Sequence, residues 1–82
     1  MNNNYPIQAN IVEIDDGPYY QVLMITTPHV GEIIELRSRI EETRGEEPYH
    51  KYQVLQVVHN VWDLQEELDA GYHKVNIYVK PV

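Results

Sequence analysis

Histidine pairs are the first place to look for chemistry in this chain. Tyr49-His50-Lys51 and Tyr72-His73-Lys74 repeat one triplet 23 residues apart, each opening an apolar alternation. Two imidazoles brought together would supply half of a zinc site. If the two segments are neighbouring antiparallel strands, however, their starts lie at opposite ends, separated by about 17–20 Å. None of His29, His50, His59 and His73 falls in an HxH or HExxH spacing. No metal ligand and no cofactor is therefore expected. His59, followed by Asn60, Val61 and Trp62, lies late in an apolar run and could line a pocket. A partly buried, hydrogen-bonded imidazole is the plainer account of it.

A nucleophile is harder to find. The chain has no cysteine, one serine (Ser38, in a charged stretch), no GxSxG and no glycine-rich phosphate loop. Carboxylate pairs are plentiful, as in Glu41-Glu42, Glu46-Glu47 and Glu66-Glu67. Acid–base catalysis needs a cleft that drives two pKa values apart, which adjacent carboxylates in hydrated loops do not have. No catalytic residue is assigned, and a non-enzymatic protein is expected.

The aromatic set points to recognition. Seven tyrosines and one tryptophan occur without a single phenylalanine. Tyrosine offers the flat apolar face of phenylalanine plus a hydroxyl that needs water or a partner, and Tyr and Trp are enriched where proteins bind. Cross-strand covering of a sheet's outer face would use the same residues. The candidate contacts are Tyr20, Tyr49, Tyr52, Tyr72, Tyr78, His59 and Trp62, joined by the charged side chains Arg37, Arg39, Glu46 and Glu47.

Charge narrows the partners. Thirteen Asp and Glu against six Lys and Arg give a formal charge of −7. Duplex nucleic acid requires a basic surface, so it is excluded as a partner. The longest apolar run, Val22-Leu23-Met24-Ile25, is four residues, far short of the roughly 20 that span a bilayer. The start, Met1-Asn2-Asn3-Asn4-Tyr5-Pro6, has neither the basic nor the apolar region of a signal peptide, and a cytoplasmic protein away from membranes is expected. The lack of cysteine fits a reducing compartment. Most carboxylates fall between Glu32 and Asp69, interleaved with Arg37, Arg39, Arg44 and Lys51. They suggest an acidic face for a basic partner, although a solubilising surface would have the same composition.

Two-residue alternation sets the elements that position these side chains. Ile7, Ala9 and Ile11 share the buried face of a first strand. Asp15-Asp16-Gly17-Pro18 is strong turn chemistry, with the glycine free to take positive φ, and Tyr19 to Thr27 forms the second strand of a hairpin. Pro28 to Gly31 breaks the chain again. Glu32 to Ser38 then reads as a strand, with a helix over 31–43 as the alternative. Arg39 to His50 is a charged, mobile loop or frayed helical turn. Lys51 to Trp62 is apolar on both faces, as in a central or barrel-wrapped strand. Asp63 caps a short helix to Ala70, with Glu66 in capping-box position and Gly71 at the C-cap. Lys74 to Lys80 closes the chain with Val75, Ile77 and Val79 facing in.

Eighty-two residues make a single domain of this kind. Five strands and a short helix predict a mainly β fold, a small five-stranded antiparallel barrel of SH3-like or OB-like type. The alternative is an α+β layer, with the 31–43 helix packed on four strands. The runs Pro28-x-Val30-Gly31-Glu32-x-Ile34, Tyr52-x-Val54-x-x-Val57 and Val75-x-Ile77-x-Val79 look like the general strand pattern of small barrel domains, which carries fold information alone. The expected function is a small acidic protein-binding module, an accessory or inhibitor protein of the kind phages encode. Its partner would be a basic protein surface or its own copy in a homo-oligomer. The alternative is a protein that binds or sequesters a small nucleotide-like ligand, with Arg37, Arg39 or Lys51 meeting its phosphate.

Overall fold

The computed structural model describes residues 7–63 and 72–82. It is mainly β, with five strands in one strongly curled half-barrel sheet. In chain order these are β1 (Ile7–Glu13), β2 (Tyr19–Met24), β3 (Ile33–Arg37), β4 (Tyr49–Trp62) and β5 (Tyr72–Pro81), with a single helical turn, α1 (Arg39–Thr43), between β3 and β4. The expected strand over 32–38 is present, and the alternative helix over 31–43 is not: Ile33 to Arg37 pair with Gln53 to Tyr49 of β4. The second strand is shorter than expected, because Ile25 to Thr27 leave the ladder. The helix expected over Asp63 to Ala70 lies outside the described residues, except for Asp63.

The sheet order is β2-β1-β5-β4-β3. Three of its four seams are antiparallel, and β1–β5 is parallel, with Ala9 opposite Val75 and Ile11 opposite Ile77. This corrects the expectation of a wholly antiparallel sheet, and the reason is parity. Five strands that alternate in direction put the first and the last in the same direction. When the sheet curls to bring them together, they can pair only in parallel. The sheet ends instead between β2 and β3, which do not pair with each other.

The core lies on the concave face. Ala9 and Ile11 of β1, Tyr52 and Val54 of β4, and Val75, Ile77 and Val79 of β5 are buried, with Ile7, Tyr20, Val22, Met24, Ile34, Leu36 and Val57 packed around them. The two apolar faces expected of β4 have a local cause. Val54 pairs with Val79, but Gln56 pairs with Tyr78, so one extra residue, Leu55, bulges out of the ladder. Tyr52 and Val54 face inward before the bulge; Val57, His59 and Val61 take that face after it. The bulge thus changes the phase of the strand and adds to the bend of the sheet.

The turns divide their work differently from the sequence expectation. Asp15 and Asp16 adopt positive φ (63° and 61°) between β1 and β2, a conformation that Asp tolerates better than most residues. Gly17 is needed for space: a Cβ there would lie 2.8 Å from side-chain carbons of Glu13. After β3, Ser38 caps α1, its Oγ accepting from the Glu41 N–H at 3.2 Å. The turn ends in a Schellman arrangement. Glu46 N–H bonds Glu41 C=O at 2.9 Å and Gly45 N–H bonds Glu42 C=O at 3.1 Å, with Gly45 at φ 75°. The charged stretch from Arg39 is therefore a capped helical turn rather than a structureless loop. Among the described residues no helix is long and apolar enough to cross a membrane.

Candidate functional site at the open seam

The unpaired edges of β2 and β3 face one another and leave a groove between them. One part of it, about 550 Å³, is lined by Tyr19, Tyr20, Gln21 and Val22 on one side and Leu36, Arg37, Ser38, Arg39 and Ile40 on the other. Towards the other end, Leu23, Met24 and the 25–29 connection face Glu32 and Ile34 across a second hollow. The outer side chains along β2 are uncharged and open: Tyr19 is 64% exposed and Leu23 67%, with Gln21 exposed between them. No charged residue occurs from Pro18 to Pro28.

Side chains close the seam from within, where backbone pairing does not. His50 Nε2 lies 2.7 Å from Glu41 Oε1 and 3.2 Å from the Tyr20 hydroxyl. An ionised carboxylate can only accept, so the imidazole presents its Nε2 proton to Glu41. The His50 ring stacks on Tyr52, with centroids 5.7 Å apart, and tilts against Tyr20 at 5.4 Å. Tyr52 itself is only 1% exposed, and its hydroxyl donates to Glu13 Oε2 at 2.9 Å. The cluster thus ties β1, β2, α1 and β4 together at one end of the half-barrel.

The electrostatics follow from these contacts. Partial burial, the neighbouring carboxylate of Glu41 and that of Glu13 push the Tyr20 hydroxyl up. Burial is also the main cause that drives Tyr52 well above the ordinary tyrosine range, reinforced by its bond to Glu13. Burial opposes ionisation of Glu41, yet its hydrogen bonds with His50, Tyr20 and Ser38 and the nearby imidazole outweigh that and hold its carboxyl below the usual range. On the outer surface, the Arg37 guanidinium grips Glu42 with two nitrogens, Nε at 3.2 Å, lowering the Glu42 carboxyl and raising the guanidinium. Arg37 also lies over the Tyr49 ring, 5.5 Å from its centroid.

The candidate contacts divide into separate groups. Arg37, Arg39, Glu46, Glu47 and Tyr49 are exposed together around β3, α1 and the start of β4. Tyr20 lines the groove from the core side. Tyr52 is removed from the surface set: it shares the inward phase of Val54, and its ring is core. Tyr78 is half-buried on the convex face, opposite Gln56. Trp62, 48% exposed, and His59 lie at the far end of β4, and the backbone of Tyr72 pairs with Trp62 there. The acidic stretch is mixed in space, since Arg37, Arg39, Arg44 and Lys51 are exposed alongside Glu32, Glu35, Glu46 and Glu47.

Glu41 and Glu13 were not singled out from sequence, and His73 was considered there only together with His50. Glu41 could have been found, because Ser38-x-x-Glu41 is a capping-box spacing. Glu13 reaches Tyr52 only through the three-dimensional curl of the sheet. His73 meets His59, Nε2 to Nδ1 at 2.9 Å, whereas the repeated triplet had drawn attention to His50. His50 and His73 do lie towards opposite ends of the β4–β5 pair, since Tyr52 pairs with Pro81 and Trp62 with Tyr72. No protein-family model, curated protein or solved structure matches this chain.

Proposed function

We propose that this chain is a non-enzymatic protein-binding module that takes a strand from a partner along the free edge of β2. The observation that supports it is the character of that edge. Exposed edge strands are usually blunted by lysine, proline or another charge, because unpaired N–H and C=O groups recruit other chains. β2 carries no charge at all and presents Tyr19 and Leu23 outward. Such an edge suits β-strand addition, in which main-chain bonds give affinity and alternate side chains give specificity. Across the seam, exposed Glu32 and Glu35 and the nearby Glu46 and Glu47 favour a segment with basic flanks. An accessory or inhibitor protein acting in the cytoplasm fits this reading, and so does self-association through the same edge.

The experiment is a pull-down from native lysate with mass spectrometry and sizing, using the wild type and a Tyr19→Lys/Leu23→Lys double variant. Both substitutions lie on exposed positions, so the variant should keep its fold. A protein, or a second copy, that the wild type retains and the variant loses supports the edge. Identical capture by the two chains would refute it.

A second reading has its own observation. Tyr19, Tyr20, Arg37 and Arg39 line one groove of about 550 Å³, which joins aromatic faces to guanidinium groups as a nucleotide-like ligand requires. A thermal-shift screen against nucleotides tests it; an unmoved melting temperature across the screen would count against it.

A further inference from the structure

We propose that His59 and His73 form a two-histidine site for a copper(II) or nickel(II) ion. Their side chains project from the concave-side phase of adjacent strands: His59 is in register with Val75, and His73 with Val61. The bulge at Leu55 creates this meeting, because it sets His59 on the same side as His73. His59 Nδ1 and His73 Nε2 are 2.9 Å apart, and the ring planes differ by 19°.

As they stand, one imidazole N–H donates to the lone pair of the other ring. A metal can take the place of that shared proton once the donor ring carries its N–H on its other nitrogen, the alternative neutral tautomer, so that both facing nitrogens offer lone pairs. Imidazole nitrogens bind late first-row ions at about 2.0–2.1 Å, and at that bond length a nitrogen separation of 2.9 Å corresponds to an angle near 90° at the metal. Such an angle belongs to neighbouring positions of a tetragonal site, the preference of copper(II) and nickel(II), rather than to the tetrahedral geometry of zinc. Two features of the surroundings favour occupancy. Both imidazoles are exposed, so the rings can turn their lone pairs to a common point while the paired backbones hold their Cα atoms. The formal charge of −7 also draws cations to the chain. Among the described residues no third His, Cys, Asp or Glu joins the pair.

The probe is copper(II) chloride alone, titrated calorimetrically near pH 7 into wild type, His59→Ala, His73→Ala and, as a control, His29→Ala, with electron paramagnetic resonance at one equivalent. The wild type should bind one ion with a spectrum of two coupled imidazole nitrogens. Each of the first two variants should weaken binding by about tenfold or more, and His29→Ala should match the wild type. Circular dichroism of the variants checks that the fold is kept. Unchanged affinity in both His59→Ala and His73→Ala, or loss confined to His29→Ala, would overturn the site.

Discussion

The Tyr52 hydroxyl donates to Glu13 Oε2 at 2.9 Å, joining β4 to β1 across the intervening β5. The donor belongs to one of the most deeply buried side chains of the core, whereas Glu13 is half-buried at the start of the β1–β2 turn. The bond therefore spans the curl of the sheet rather than a strand pair. Tyr52→Phe keeps the ring and removes this bond together with the hydroxyl's interaction with Tyr20. The expected loss is about 1–2 kcal/mol in urea unfolding, with the ring's packing retained. A variant as stable as the wild type would mean that water replaces the hydroxyl without cost.

Acid should weaken the closure of the seam. The Glu41 and Glu42 carboxyls are held below their ordinary value of 4.5 in the fold. Groups of this sign contribute stability above the unfolded pKa, and that contribution disappears as pH falls through the folded one. The melting temperature should therefore fall as pH drops from about 5 towards about 3, over and above the behaviour of the other carboxylates. Glu41→Gln should be less stable than wild type at neutral pH and should show a shallower acid decline. Parallel curves for the two proteins would remove Glu41 from the account.

Much of this fold follows from period-two patterning. Ile7-x-Ala9-x-Ile11 and Val75-x-Ile77-x-Val79 each leave one choice of inward face, so both core strands can be read directly. The parallel pairing of β1 with β5 is a consequence of strand count and closure, which no local window contains. The seam is harder still, because nothing in β2 or β3 alone says that these two neighbours in sequence will stay apart. The site depends on register. A one-residue bulge at Leu55 decides whether His59 meets His73 or turns to the other face, and the apolar run around it tolerates either phase. Tyr52 shows the opposite case. It shares the inward phase of Val54, but its residue type suggested a contact surface, and phase proved the better guide.

The turn that carries Glu41 depends on its exit. Gly45 stands at φ 75° with no heavy atom close to where a Cβ would lie. Gly45→Ala thus meets a conformational cost alone, about 1 kcal/mol. The loss should be visible in the denaturation midpoint. Since α1 places Glu41 beside His50, amide exchange at Glu46 and the His50 ring signals should respond as well. An alanine that costs nothing would show that the turn can end without a left-handed residue.

Gly17 offers a test of how the β1–β2 turn is coupled to the core. A methyl group added there would meet the Cβ, Cγ and Cδ of Glu13, each at 2.8 Å. Because one of these atoms is the Cβ, a rotation of the Glu13 side chain alone does not relieve the overlap, and the strand end must shift. Gly17→Ala should therefore cost about 1–3 kcal/mol. Part of that cost should arise because the displaced carboxylate no longer receives the Tyr52 hydroxyl. In a Tyr52→Phe background that part is already lost, so Gly17→Ala should cost less there than in the wild type. The double-mutant cycle in urea should give a coupling of about 0.5 kcal/mol or more between positions 17 and 52, which share no direct contact except through Glu13. Additive effects would mean that the turn and the buried tyrosine respond independently.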